Sequence, residues 1–84
     1  MSEFSYTIRD ESGIHARPAG MLVRRVKETG ASVTIEKDGR SADASRLFAV
    51  MGLGVKCGDT VRVTVSGGDS DATAALEAFF RENL

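Results

Sequence analysis

The sequence predicts an α+β fold, an open-faced β-sandwich in the element order β-α-β-β-α-β-α. Four short segments alternate apolar and polar residues, one of them weakly, which is typical of strands with one buried face. Three other segments carry apolar residues at helical spacing or in a short continuous run. Because each strand has one apolar face and one polar face, we expect three helices to cover one face of the sheet and the other face to remain in water.

Each strand is predicted from its own alternation. The last segment has the most regular pattern, with a valine at every second position. Asp38-Gly39 is a strong signal for a hairpin turn, so the second and third strands should pair directly. The third strand has only small inward side chains, as suits a sheet edge. The four segments are residues 3–9, 32–37, 40–44 and 60–66, with inward side chains expected at Phe4, Tyr6, Ile8, Val33, Ile35, Val61, Val63 and Val65.

Two longer helices are expected. The first covers residues 16–29, in which Pro18 is tolerated because first-turn amides have no intrahelical partner, and Gly30 ends it. The last helix should begin after Asp69 or Ser70, either of which can cap it. The expected buried stripes are Ala19, Leu22, Val23 and Val26 in the first helix, and Ala72, Leu76, Phe79 and Phe80 in the last.

The apolar run at residues 45–53 predicts a short helix between these two. It has two turns or fewer and is apolar on nearly all sides. A domain of 84 residues can hardly bury such a helix entirely, so part of it is expected to face a partner. The alternative is that Leu47, Phe48 and Met51 are ordinary core residues.

Length and composition exclude several classes of protein. A chain of 84 residues makes one domain, residues 1–84, which buries only about 60–65% of its unfolded surface and has little room for a substrate cavity of its own. This favours a carrier, a binding module or a regulator over a self-contained enzyme. No apolar run approaches the ~20 residues of a membrane span, and the N-terminus lacks an export signal. With one cysteine, Cys57, we expect a reduced thiol in the cytoplasm.

The net charge of −1 is unevenly distributed. From Arg17 to Lys27 there are four basic residues and no acidic one, a patch that should steer anionic partners. The patch is too small, and too poor in aromatic residues, to indicate nucleic-acid binding.

The only histidine and the only proline lie together in Gly13–Gly20. His15 precedes a helix whose first amides are unpaired and form an anion site, which Arg17 in the first turn can reach. A neutral imidazole is a nucleophile, so this arrangement predicts phosphoryl transfer onto a ring nitrogen. Alone, His15 could instead be a solvated loop residue or a substitute for an N-cap residue. It could also be an acid–base partner of Asp10 or Glu11 if either folds back. A metal site lacks ligands, and no cofactor is expected.

Two motifs resemble those of the HPr family, the histidine-containing phosphocarriers of the bacterial phosphotransferase system. They are Gly13-Ile14-His15-Ala16-Arg17-Pro18-Ala19 and Val50-Met51-Gly52-Leu53-Gly54, and the element order agrees over the whole chain. The resemblance implies an antiparallel sheet of order 1-4-2-3. It also implies that His15 accepts a phosphoryl group on Nδ1 from phosphorylated enzyme I and passes it to IIA domains of sugar permeases. Arg17 would neutralise the phosphate, and the protein would be a stoichiometric carrier, not an enzyme.

The resemblance also implies a docking surface on a monomeric protein. Its residues would be Ala16, Gly20, Arg24 and Lys27 on the first helix, and Leu47, Phe48, Met51 and Gly54 on and after the second. A transcription regulator is a further partner of some family members, so a purely regulatory binding module remains an alternative. Service to a nitrogen or dihydroxyacetone branch instead of sugar uptake also remains open.

One position departs from the family. Many family members carry a regulatory serine, phosphorylated by a dedicated kinase, where this chain has Arg46, and Ser45 stands one place earlier. Arg46 cannot imitate a phosphate. Ser45 could cap the short helix, and we expect its phosphorylation by such a kinase to be weak or absent.

Overall fold

The computed structural model describes all 84 residues and contains one four-stranded sheet of order β1-β4-β2-β3. The order and the open-faced α+β architecture are those that the sequence and its family resemblance predict. No helix is both long enough and apolar enough to cross a membrane. The elements are β1 (Ser2–Thr7), α1 (Ala16–Thr29), β2 (Ala31–Lys37), β3 (Arg40–Asp43), α2 (Leu47–Gly52), β4 (Thr60–Gly67) and α3 (Ala72–Asn83).

Strand β4 organises the sheet because it pairs antiparallel with both β1 and β2. Strands β1 and β2 are therefore parallel to each other and separated by β4. Hairpin turn Asp38-Gly39 joins β2 to β3, and both turn residues have positive φ, +52° and +81°. One inner row of the sheet shows the register, since Phe4, Val63, Ile35 and Ala42 lie side by side across all four strands.

The helices and the inner face of the sheet enclose one core of 20 buried apolar residues. Phe80 of α3 is fully buried and contacts Phe4 and Tyr6 edge to face, with ring centroids 5.6 Å apart in each case. Leu22 and Val26 of α1 are equally buried. This packing sets α1, and the turn that precedes it, against the sheet.

The start of α2 differs from the prediction. The helix begins at Leu47, its N-cap residue is Arg46, and no side chain caps it. Ser45 is not the cap because both its amide and its hydroxyl donate to Asp43 Oδ1, at 2.9 and 2.7 Å. The side chain of Asp43 thus holds Ser45 in the preceding turn, outside the helix.

The cap predicted for α3 is also wrong. Asp71 occupies the N-cap position without a side-chain hydrogen bond, and Asp69 takes part through its backbone, since the Ala72 amide donates to its carbonyl at 3.0 Å. Val23 was expected in the buried stripe of α1, yet it is only half-buried at the edge of that stripe. Strand β1 ends at Thr7, two residues before its predicted end.

Two phenylalanines provide a test of this core. Phe80→Ala should lower the free energy of unfolding by about 3–5 kcal/mol, because it removes a fully buried ring from a close-packed site. Phe48→Ala, at a side chain that is 82% exposed, should change it by about 0.5 kcal/mol or less. Urea denaturation of the two variants measures both values, and equal losses would contradict the core described above.

Candidate functional site at the start of helix α1

His15 is the N-cap residue of α1 and its side chain is exposed. Its backbone is extended, with φ −96° and ψ −177°, and its carbonyl accepts the Ala19 amide at 3.0 Å, as a first helical bond requires. The imidazole makes no capping hydrogen bond to the helix. Both ring nitrogens are therefore unused by the helix and can meet a ligand or a partner.

The backbone before His15 packs against the loop between α2 and β4. The Ile14 amide donates to the Val55 carbonyl at 3.1 Å, and the Ile14 side chain is buried. Gly13 adopts φ +64°, and a Cβ there would lie 2.3 Å from Val55 O and 2.8 Å from Lys56 Cα. No side chain fits at residue 13, so the close approach of the two loops depends on glycine.

A second set of hydrogen bonds closes the turn on itself. The Asp10 carbonyl accepts the Gly13 amide at 2.9 Å, and Asp10 Oδ1 accepts the Ser12 amide at 2.8 Å. The Asp10 amide donates to Leu84 O at 2.8 Å, which ties the turn to the end of α3. These contacts draw the last turn of α3 towards His15.

An open pocket of about 240 Å³ forms where these segments meet. His15 and Arg17, the two residues that the sequence singles out, both line it. Arg17 is exposed and takes part in none of the four ion pairs of the structure, so its guanidinium can turn to a bound anion. The other lining residues are Asp10, Pro18, Met21, Glu82 and Asn83.

Three of these lining residues add to the site predicted from sequence. Asp10 lines the same pocket as His15, and its Oδ1 accepts the Ser12 amide. Glu82 and Asn83 gave no sequence signal, because only the packing of α3 brings them to the turn. The pocket has two carboxylates and one guanidinium, so neutralisation of a phosphate bound there would depend on Arg17 and on backbone donors.

The backbone donors are few. Pro18 has no N–H, and the Ala19 amide is bonded to the His15 carbonyl. The amides of Ala16 and Arg17 are then the first-turn donors that an anion can use, in a helix with no acidic residue in that turn.

The partner residues predicted on α1 also come together. Gly20, Arg24 and Lys27 line a second, open depression of about 450 Å³, with Val23 and Glu28. Glu28 pairs with Arg25 at 3.5 Å, which leaves Arg24 and Lys27 without an ion-pair partner. Ala16, the remaining residue of this set, is exposed at the start of the helix.

The partner residues predicted on α2 differ among themselves. Phe48 is 82% exposed and Met51 36% exposed, so neither is an ordinary core residue. Leu47 is half-buried against the core, and Gly54 and Arg46 are exposed. Helices α1 and α2 pack against each other, so the basic depression and Phe48 belong to adjoining elements. No group of three or more His, Cys, Asp and Glu residues is arranged to hold a metal ion.

Comparison with known proteins agrees with this geometry. The family model described as the PTS HPr component phosphorylation site matches residues 2–82. The chain therefore belongs to the HPr family of the phosphotransferase system, whose members are phosphocarrier proteins.

Solved structures give the same family. The histidine-containing phosphocarrier protein of Mycoplasma is 27% identical and superposes with a TM-score of 0.89, over 96% of this chain and 93% of that one. HPr-C-His of Thermoanaerobacter tengcongensis is 31% identical, with a TM-score of 0.85 over all of both chains. Crh, the catabolite repression protein of Bacillus subtilis, is 29% identical with a TM-score of 0.77, over 100% of this chain and 98% of that one, and its crystal structure is a domain-swapped dimer.

Substitution of Gly13 tests the contact between the His15 turn and Val55. Gly13→Ala should displace the turn from Val55, because a Cβ cannot fit 2.3 Å from that carbonyl. Gly39→Ala is the matched control, since Gly39 also has positive φ, +81°, but open space around it. We expect Gly39→Ala to cost about 1 kcal/mol of stability and Gly13→Ala distinctly more, by urea denaturation. Equal costs would mean that the contact with Val55 contributes nothing.

Proposed function

We propose that this protein is a phosphocarrier that accepts a phosphoryl group on His15 from phosphorylated enzyme I and donates it to IIA domains of sugar permeases. It works in the cytoplasm as a stoichiometric carrier, with no turnover of its own. The observation that carries the proposal is the pocket that His15 and Arg17 share at the start of α1, in a chain of the HPr family.

The transfer is a displacement at phosphorus. The lone pair of Nδ1 in neutral His15 forms a P–N bond while the bond between phosphorus and the donor breaks, and the donor keeps that electron pair. Donation to a IIA domain runs the same step with His15 as the leaving group. Such transfer depends on positioning and on charge stabilisation, which the guanidinium of Arg17 and the two free amides supply.

Docking is proposed to use the exposed residues of α1 and α2. Arg24 and Lys27 form a basic depression around Gly20 that suits an acidic surface. Phe48 offers an exposed aromatic ring of the kind that often anchors protein interfaces. Ala16, Leu47, Met51 and Gly54 complete the proposed surface.

A regulatory module without transfer is the second candidate. The likeness to Crh, a catabolite repression protein, supports a regulatory partner. His15 and Arg17 are nevertheless both present and exposed in one pocket, which a module without transfer does not need. We therefore put transfer first and propose a transcription regulator as an additional partner.

Phosphorylation of His15 is the first test of this function. Incubation with enzyme I and phosphoenolpyruvate should give acid-labile phosphate on the parent protein and none on His15→Ala. Arg17→Ala should fold normally and accept phosphate about 10²-fold more slowly, because it lacks the one cationic group of the pocket. Arg62→Ala, on the open face of the sheet, is the matched arginine control and should react at the parent rate. An unlabelled parent protein would refute the carrier function.

The docking surface has a separate test. Phe48→Ala should raise the KM of enzyme I for this protein by about tenfold, with kcat little changed, since the ring contributes to binding and not to the reacting atoms. Ser5→Ala, at an exposed residue of β1 on the open face of the sheet, serves as the control. An unchanged KM for Phe48→Ala would remove α2 from the docking surface.

Ser45 is not proposed as a regulatory acceptor. Its hydroxyl and its amide donate to Asp43, and these hydrogen bonds, aided by Arg46, lower the pKa of the Asp43 carboxyl below its usual 3.8. A phosphate on Ser45 would therefore lie beside a permanent anion at neutral pH and would lose the hydroxyl hydrogen bond. Incubation with an HPr serine kinase and ATP should leave no acid-stable phosphate on Ser45. Stoichiometric labelling of Ser45 would show that Asp43 is no obstacle.

A further inference from the structure

The loop against which the His15 turn packs contains no helix or strand. It connects α2 to β4, and its Val55 carbonyl accepts the Ile14 amide. A carbonyl in an irregular loop can hold a catalytic turn in position only if something else fixes that loop. The residues that fix this loop therefore influence the position of the His15 backbone.

One ammonium group holds both ends of this loop. Lys37 Nζ, at the end of β2, donates to the Gly54 carbonyl at 3.0 Å and lies 2.9 Å from Asp59 Oδ2. The same Asp59 oxygen accepts the Lys56 amide at 2.8 Å. Gly54, Lys56 and Asp59 are thus all tied to a single ion pair, and Val55 lies between two of them.

Asp59 also reaches the strand that leads into the turn. Its carbonyl accepts the Ile8 amide at 2.9 Å, and the neighbouring Gly58 amide donates to the Ile8 carbonyl at 2.8 Å. The two backbone segments around His15, the end of β1 and the Gly13-Ile14 pair, therefore both rest on the loop that Asp59 closes.

The ion pair is partly shielded from water. The side chains of Lys37 and Asp59 are 17% and 32% exposed, and every side chain in the other three ion pairs is more exposed than these two. The Lys56 amide and the Lys37 ammonium hold the pKa of the Asp59 carboxyl below its usual 3.8, so it is charged at neutral pH. The pair is therefore formed under the conditions in which His15 would react.

We propose that Asp59, with Lys37, is a positioning residue for His15, because this ion pair holds the Val55 carbonyl where the active turn is seated. Neither side chain lines the pocket or touches the reacting atoms. Their effect passes through Val55 and Ile14 to the backbone of His15 and the amides that follow it. The inference rests on the proposed phosphocarrier function for its kinetic part only.

The test compares Asp59→Ala, Asp59→Asn and Lys37→Met. Loosening the loop should speed amide hydrogen exchange at Ile14 in Asp59→Ala and leave exchange in the centre of β4 at the parent rate. In phosphorylation by enzyme I, kcat should fall by about tenfold because the nucleophile is misplaced. KM should rise by less than it does in Phe48→Ala, because Gly54 is the one docking residue that lies on the loosened loop. Asp59→Asn, which keeps an acceptor for the Lys56 amide, should recover part of kcat.

A matched control and a double variant complete the experiment. Glu36→Gln breaks the ion pair with Arg62 on the open face of the sheet and should change neither readout. Asp59→Ala combined with Lys37→Met should be no slower than the slower single variant, since both act through one loop. If Asp59→Ala fails to fold, Lys37→Met takes its place in the experiment. It is the milder change because it keeps the hydrogen bond between Asp59 and the Lys56 amide.

The outcomes are separable from those of the proposed function. If the Ile14 amide exchanges at the parent rate in both Asp59→Ala and Lys37→Met, the positioning role is overturned, whether or not His15 is phosphorylated. Faster Ile14 exchange with an unchanged kcat also overturns it, since the ion pair would then stabilise the loop without affecting His15. Failure of enzyme I to phosphorylate the parent protein would refute the carrier function, and reaction with phosphoramidate, a small donor that needs no docking, would then replace the kinetic readout.

Discussion

The contact between Gly13-Ile14 and the Val55 carbonyl is the interaction on which the site depends. The hydrogen bond from Ile14 and the absence of a side chain at Gly13 let two irregular segments pack directly against each other. This contact sets the direction in which the chain enters α1. His15 is held at the helix start by its backbone alone, which leaves the imidazole free for chemistry.

Charge is divided between the His15 pocket and a flanking surface. The pocket holds one guanidinium and two carboxylates, whereas the adjoining depression on α1 holds two unpaired basic residues, Arg24 and Lys27. Under the proposed function, attraction of a partner and stabilisation of a phosphate would thus be the work of different groups. A carrier benefits from this division, because a phosphate bound too tightly would not be passed on.

Local pattern predicted all seven elements, and competition between neighbouring polar residues explains the two wrong helix caps. The alternation of valines in β4 and the Asp38-Gly39 turn correspond to the observed central strand and hairpin. The caps of α2 and α3 were predicted wrongly because several Ser and Asp residues adjoin each helix start, and a short-range rule cannot choose between them. Ser45 donates its hydroxyl to Asp43 and is therefore not available as a cap. The helix begins after Arg46 with no side-chain cap.

By itself, the sequence determined the element order and the family, and it singled out His15 with Arg17 as the candidate site, because these depend on spacing along the chain. Only the tertiary structure decided that Asp10, Glu82 and Asn83 share the pocket with His15, and that Lys37 and Asp59 secure the loop beneath the turn. Apart from Asp10, these residues are distant from the Gly13–Gly20 segment in the chain, and none of the five belongs to a motif. Their proximity follows from how α3 and the α2–β4 loop pack on the sheet, which no local pattern encodes.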